Sequence, residues 1–248
     1  MSGPHQPAGH LHDYAGQRTA LRRIIGAYDS VVVRAYCVVR FLIININMLH
    51  ILALCMRGRS RVLEVGCGFG LFGCYFASRW PALVYHGIDV DAGRITMART
   101  AAGRLGLTNV RFECADAREP LALKGPYDAV LMMDLVHHLP DAAKRALLDS
   151  LAAALEPGGH LIIKDVTRRP WWKMAFTWVL DVLMTRGFDM WYWEPRQFRD
   201  ALDASWDMET YAISDWLPYS HIVYLFSRPA GSDRGATGGS PSTRDVPP

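Results

Sequence analysis

Three glycines at alternate positions follow a short apolar run that contains a single acid. The run spans residues 61–65, its acid is Glu64, and the glycines are Gly66, Gly68 and Gly70. A buried strand that leads into a glycine-rich turn lets the backbone pass close to a ligand. A carboxylate one residue before the end of the strand repels a pyrophosphate and attracts a cation. The chemistry predicted here is the binding of a ligand that carries positive charge.

The glycine spacing alone also fits a dinucleotide site. The segment from Gly68 to Gly73 satisfies the pattern G-x-G-x-x-G. Its register is wrong, because the first glycine after the strand is Gly66 and the third required position then falls on Leu71. We therefore disfavour a nicotinamide-dependent oxidoreductase.

Two further acids end the next predicted strands. Asp89 ends the strand predicted at residues 84–89 and lies 19 positions after Gly70. An acid at this spacing can accept hydrogen bonds from both hydroxyls of a ribose. Asp116 lies at the end of the strand predicted at residues 110–117. With the glycine turn, these acids indicate an α/β domain that binds a nucleoside-containing ligand.

The pattern E-V-G-C-G-x-G at residues 64–70 resembles motif I of the class I S-adenosylmethionine-dependent methyltransferases. The phrase L-E-P-G-G-x-L-I-I at residues 155–163 is similar to the family's signature before the fifth strand. The resemblance covers residues 61–165 and hardly extends to the flanks, which resemble bacterial methyltransferases of lipid or aryl-polyene pathways only faintly. It implies a Rossmann-like, seven-stranded, mostly parallel sheet with helices on both faces, and S-adenosyl-L-methionine as cofactor. The cofactor contacts that it implies are Glu64, Gly66, Cys67, Gly68, Gly70, Asp89, Val90, Asp116, Ala117, Met133 and Asp134.

Two adjacent histidines follow the predicted fourth strand, where open α/β sheets bind ligands. A neutral histidine can accept the proton of a phenol, whose pKa is about 10, while the methyl bond forms. His138 or His137 is therefore the candidate base, and packing of the loop is the alternative role. Asp134 could bind the cofactor, contact the acceptor or cap the loop, and Asp165 is a second candidate for the acceptor site. No arrangement resembles a metal triad, so catalysis without a metal is predicted.

Residues 19–58 form an unusually apolar N-terminal region, with no glycine or proline between Gly26 and Arg57. Residues 41–56 are uncharged but shorter than the roughly 20 residues of a spanning helix. Three alternatives remain open for this region. It is a helical appendage that covers the active site, a helix that lies on a membrane surface, or a transmembrane span.

The remaining boundaries follow from composition. Residues 1–18 are predicted to be a flexible tail, residues 59–228 the methyltransferase domain, and residues 229–248 a disordered tail. Within the domain, residues 166–194 form a Trp-rich insertion, for which a lid over the acceptor and plain core packing are the two alternatives. Two antiparallel strands after this insertion are predicted to complete the sheet.

Composition limits the partners. A formal net charge of +3 gives no indication of nucleic-acid binding. Five cysteines without C-x-x-C spacing indicate a reduced compartment, and no signal peptide is recognisable, so we expect a cytoplasmic protein that could contact the inner face of a membrane. The predicted function is methyl transfer to a small hydrophobic acceptor, on an oxygen of a phenolic or lipid-linked compound. The alternative is a cofactor-binding scaffold with a degenerate core, and the oligomeric state stays open.

Overall fold

The computed structural model describes residues 14–119, 123, 125–166, 191–213, 221–230 and 243–246. Its eight strands form one sheet in the order β3-β2-β1-β4-β5-β7-β6-β8. The strands are β1 Arg61–Val65, β2 Val84–Asp89, β3 Val110–Cys114, β4 Tyr127–Met133, β5 Leu155–Val166, β6 Asp207–Ile213, β7 His221–Ser227 and β8 Thr243–Val246. The helices are α1 Tyr14–Gly26, α2 Val31–Ile43, α3 Ile46–Cys55, α4 Leu71–Arg79, α5 Ala92–Arg104, α6 Asp141–Ala154 and α7 Pro195–Ala201.

The sheet has the Rossmann-like topology that the sequence predicted. Strands β1 to β5 pair in parallel, β7 pairs antiparallel to β5, and β6 pairs antiparallel to β7. From β1 the chain builds outward to β2 and β3 on one side, then crosses to β4 on the other side. A reversal of this kind opens a crevice at the carboxyl ends of the central strands, where ligands bind. The fold therefore places the end of β1, with Glu64, at that crevice.

Tight packing beneath the turn after β1 explains one of its glycines. Gly70 has a φ of 74° and begins α4. A Cβ atom at this position would lie 2.6 Å from the ring of Phe112 and 2.7 Å from Ala98. Such distances are well inside van der Waals contact, so the left-handed backbone and the crowding both require glycine here.

The N-terminal region folds into three helices. The first begins at Tyr14, so the predicted tail boundary at residue 18 is wrong, because this polar segment continues into the amphipathic turns of α1. Asn45 interrupts the apolar run by accepting a hydrogen bond from the amide of Met48 at 3.1 Å, which starts α3. In the described part of the chain no single helix is long and apolar enough to cross a membrane, and α2 and α3 pass such a test only as a pair bent by 74°.

Three other boundaries differ from the predictions. Strand β3 ends at Cys114, so Asp116 lies in the following loop. The turn predicted at residues 157–159 is an irregularity within β5. Leu155 pairs with Tyr127 of β4 and His160 pairs with Ala129, so the four residues of β5 between these pairs lie opposite a single residue of β4, Asp128. A short strand, β8, lies in the segment predicted to be a disordered tail, because β6 offers an open edge whose backbone groups it can pair. Residues 167–190, the bulk of the Trp-rich insertion, lie outside the described residues.

Candidate active site

The glycine turn after β1 is fixed by hydrogen bonds to β2. Gly66, Gly68 and Gly70 all adopt left-handed backbone conformations, with φ values of 76°, 53° and 74°. The amide of Gly66 donates to the carbonyl of Ile88 at 2.8 Å. A Cβ at Gly68 would meet no atom of the described residues within 4 Å, so these residues leave space beside it. The turn is therefore rigid and leaves room for a ligand along its backbone.

Glu64 is a buried carboxylate beside that space. The residue is 2% exposed, and its Oε2 atom has no hydrogen-bond partner among the described residues. Burial raises the pKa of Glu64 to about 7, although the hydroxyl of Tyr85 and, less strongly, the charge of Arg40 oppose the shift. Leaving a buried acceptor unsatisfied costs free energy. A cationic ligand in the adjoining cavity would satisfy it, so Glu64 fits the role that the sequence predicted.

Asp89 joins the turn to the end of β2. Its Oδ2 atom accepts a hydrogen bond from the amide of Gly68 at 2.8 Å, and its Oδ1 atom accepts one from the amide of Asp91 at 2.9 Å. The carboxylate is largely buried but still borders open space on both sides. It can therefore accept further hydrogen bonds from a diol while it holds the turn in place.

Two cavities meet at this point, and both are bordered by Gly66, Asp89 and Leu135. The first has a volume of about 200 Å³ and the second about 220 Å³. The other residues of the first cavity are Tyr36, Arg40, Glu64, Cys67, Gly68, Phe69, Leu71, Phe72, Arg94, Met133, Asp134 and His138. The other residues of the second are Val65, Ile88, Val90, Ala115, Asp116, Ala117, Arg118, Leu139 and Leu147. A charged, aromatic-walled chamber thus adjoins a mostly apolar slot.

Asp116, on the apolar slot, is engaged by a neighbour. Its carboxylate accepts hydrogen bonds from Nε of Arg118 at 2.9 and 3.0 Å. This bonding holds the pKa of Asp116 below its usual value. Because Arg118 is exposed to solvent, its side chain can move away at little cost, and Asp116 stays available to an amine in the slot.

A buried ionic cluster at the end of β4 was missed by the sequence analysis. Asp134 pairs with Lys164 of β5 and with Arg40 of α2, whose guanidinium nitrogen lies 2.8 Å from Oδ2. Although burial alone would raise it, these two positive charges hold the pKa of Asp134 well below its usual value. Asp134 also has a φ of 51°, which is uncommon for a residue other than glycine. The one available signal was a lysine inside the apolar run I-I-K-D.

The two histidines have different surroundings. His138 borders the first cavity. His137 is 1% exposed, its Nδ1 atom lies 2.5 Å from Oδ1 of Asp165, and its ring stacks on Tyr192 at 5.5 Å between centroids. Its carbonyl accepts a hydrogen bond from the amide of Trp191 at 2.8 Å. Burial and these contacts favour packing of the loop as the role of His137, and His138 stays the candidate base.

Helix α2 forms one wall of the first cavity. The ring of Tyr36 meets Phe69 edge-on, with 5.2 Å between centroids, and Arg40 lies over the ring of Phe72 at 5.6 Å. On the other side of α2, Cys37 and Phe41 are buried in the core. The N-terminal region thus contributes both an aromatic surface and a positive charge to the cavity.

Comparison with known proteins agrees with this geometry. Residues 62–159 match a family model described as a methyltransferase domain. Over this stretch the chain is similar to a methyltransferase domain. It is 30% identical over 113 residues to the ubiquinone biosynthesis O-methyltransferase of Acinetobacter baylyi, a match that covers 45% of each chain. The matched stretch therefore spans less than half the length of that curated relative.

Solved structures show the same fold. The magnesium protoporphyrin IX methyltransferase of Synechocystis, with bound S-adenosylhomocysteine, superposes with a TM-score of 0.58 and 21% identity, covering 87% of this chain and 95% of that one. An O-methyltransferase family protein from Burkholderia thailandensis gives a TM-score of 0.61 at 16% identity, covering 92% of this chain and 64% of that one. These similarities extend beyond residues 62–159.

Most predicted site residues of the methyltransferase domain border one of the two cavities. The exceptions are Gly70, which packs on Phe112 beneath the turn, and the buried pair His137 and Asp165. Among the described residues, no group of three or more His, Cys, Asp or Glu side chains could hold a metal ion, and metal-independent catalysis stays a prediction. The five cysteines are free thiols.

Proposed function

We propose that this protein is an S-adenosylmethionine-dependent methyltransferase that methylates an oxygen atom of a small hydrophobic acceptor. The observation that carries the proposal is the buried carboxylate of Glu64, whose Oε2 atom has no hydrogen-bond partner among the described residues, on the first of the two adjoining cavities. When bound, S-adenosylmethionine supplies a methyl group activated by a sulfonium. Glu64 would hold its cationic end and Asp89 its ribose hydroxyls. Asp116 and the amide of Ala117 would hold the adenine in the apolar slot.

The chain's own residues supply positioning and proton transfer. Tyr36, Phe69 and Phe72 offer an aromatic wall on which a planar acceptor can pack and from which water is excluded. Alignment of reacting groups in such a site contributes up to about 7–11 kcal/mol to a barrier. Neutral His138, on the same cavity, would accept the hydroxyl proton of the acceptor at a ring nitrogen.

A phenolic oxygen is the favoured target, and two observations support it. The cavity walls are aromatic, and a histidine borders the same space. The relative from Acinetobacter baylyi is by name an O-methyltransferase of ubiquinone biosynthesis. A hydroxyl on a lipid-linked compound is the second target, because it too would lose its proton to His138 as its oxygen is methylated.

Binding and turnover are tested separately. Calorimetry with S-adenosylhomocysteine and with NAD is expected to show binding of the first alone, and binding of NAD alone would refute the proposal. Incubation with cofactor labelled in its methyl group and an extract of phenols and lipids is expected to yield a labelled, base-stable product. Cofactor binding without any labelled product would instead favour a scaffold that binds the cofactor and does not turn over.

A further inference from the structure

One face of α2 exposes a continuous apolar surface. Val31 and Val32 are 76% and 78% exposed, and Leu42 is 64% exposed. These residues recur at helical spacing, so they lie along one side of the helix. We name this surface the outer stripe, and its residues are Val31, Val32, Ala35, Val38, Val39 and Leu42.

The outer stripe lies on the same helix that closes the first cavity. Tyr36 and Arg40, between the stripe residues in sequence, border that cavity, while Cys37 and Phe41 are buried. Isolated exposed apolar residues are common on soluble proteins, but a continuous apolar helix face indicates an interaction surface. The outer stripe and one border of the candidate acceptor site are therefore two faces of the same helix.

The charge of the segment around the outer stripe indicates which kind of partner the stripe binds. Between residues 14 and 60 the chain has seven arginines and one acid, Asp29, and of these arginines Arg40 is already paired with Asp134. Arg18, Arg22 and Arg23 are exposed on α1, which packs against α2. A two-fold interface would bring this positive surface against itself, which is unfavourable. Anionic lipid headgroups complement it, and a lipid interior accepts the apolar stripe.

We propose that the outer stripe of α2 docks on an anionic membrane surface, with the arginines of α1 at the headgroups. The helix lies along the interface and does not cross it, since α2 has only 13 residues. This orientation places the aromatic cavity next to the lipid phase, from which an apolar acceptor can enter. Only the choice of acceptor rests on the proposed function, because docking needs no methyl transfer.

Flotation of the full chain with lipid vesicles tests the proposal. The wild-type protein is expected to float with vesicles of phosphatidylcholine and phosphatidylglycerol, and much less with phosphatidylcholine alone. The triple variant Val32→Ser, Val39→Ser and Leu42→Ser is expected to lose at least about tenfold in vesicle partitioning. The matched control is Val84→Ser, which should float like wild type. Val84 is 59% exposed and is the first residue of β2, at the amino end of the strands, whereas the cavities lie at their carboxyl ends.

A second variant keeps the test decisive if the serine variant folds poorly. Arg22→Gln with Arg23→Gln should weaken binding to anionic vesicles about fivefold or more per arginine and leave binding to phosphatidylcholine unchanged. Equal flotation of wild type and both variants, or no flotation of wild type, would overturn the proposal. A concentration-dependent dimer that the serine variant abolishes, without vesicle binding, would assign the stripe to a second copy of the chain and also overturn it. Binding of S-adenosylhomocysteine, measured in parallel, reports on the methyltransferase site independently.

Discussion

Replacing Glu64 by glutamine should stabilise the unliganded protein and weaken cofactor binding at the same time. Burial raises the pKa of Glu64 from 4.5 to about 7, so the folded state retains a proton that the unfolded chain releases. The free energy of unfolding therefore falls as the pH rises from 4.5 to 7 and stays constant above it. With about 1.4 kcal/mol per pKa unit, ionised Glu64 costs the unliganded fold about 3 kcal/mol.

Urea unfolding at pH 5 and pH 8 measures this cost. Glu64→Gln should raise the free energy of unfolding at pH 8 by up to about 3 kcal/mol and change it much less at pH 5. Glu156→Gln, at the amino end of β5 and away from the cavities, is the matched control and should show no such pH dependence. Equal effects of Glu64→Gln at both pH values would refute the assignment of a buried, costly carboxylate.

Calorimetric titration with S-adenosylhomocysteine measures the other half of the reasoning. The ammonium group of the ligand favours ionised Glu64, so binding to wild type should tighten as the pH rises. Its dissociation constant should fall by up to about tenfold for each unit by which the pH rises toward 7, and level off above pH 7. Glu64→Gln should bind more weakly at pH 8, with a much flatter pH dependence. The same pH dependence in variant and wild type would show that Glu64 does not contact the cationic end of the cofactor.

Three further substitutions test the rest of the site. His138→Ala should lower kcat by about 10²–10⁴ and leave the affinity for S-adenosylhomocysteine unchanged, and full activity would exclude it as the base. Lys164→Met should destabilise the protein by about 3–5 kcal/mol in thermal or urea unfolding, because Asp134 loses its buried partner; an unchanged stability would contradict the pairing. Gly70→Ala should cost about 1–3 kcal/mol, since its Cβ would meet Phe112, and wild-type stability would show that the ring can move.

The local parts of the site were predictable from sequence. Glu64, the glycine turn and Asp89 lie at strand ends, and the parallel order of the sheet brings such ends together. These features depend on short-range patterns, in which an acid or a glycine interrupts an apolar strand. The strand boundaries of β1 and β2 were predicted correctly for the same reason.

Contacts between distant segments were not predictable in this way. Arg40 and Asp134 are 94 positions apart, and nothing in the local pattern of either residue specifies the other. His137 and His138 are neighbours on one short 3₁₀ turn, yet only the tertiary structure shows which ring faces the cavity. Strand β8 forms because β6 leaves an open edge, a property of the sheet and not of residues 243–246.

Part of the Trp-rich insertion can now be described. Trp193 is buried, and its Nε1 atom donates a hydrogen bond to Asp141 at 2.7 Å, while Tyr192 stacks on His137. For these residues the structure shows packing on the domain. The lid over the acceptor stays a prediction for residues 167–190.

Leu135 makes the cofactor selectivity of this site open to redesign. Its side chain separates the two cavities, and a Cβ at Gly66 would lie 3.1 Å from its Cδ2 atom. Truncation to alanine would merge the chambers at the point where ribose is expected to bind. The enlarged site would then have room for a bulky cofactor analogue that the wild-type cavities exclude, and would transfer a chemical tag to its own acceptor.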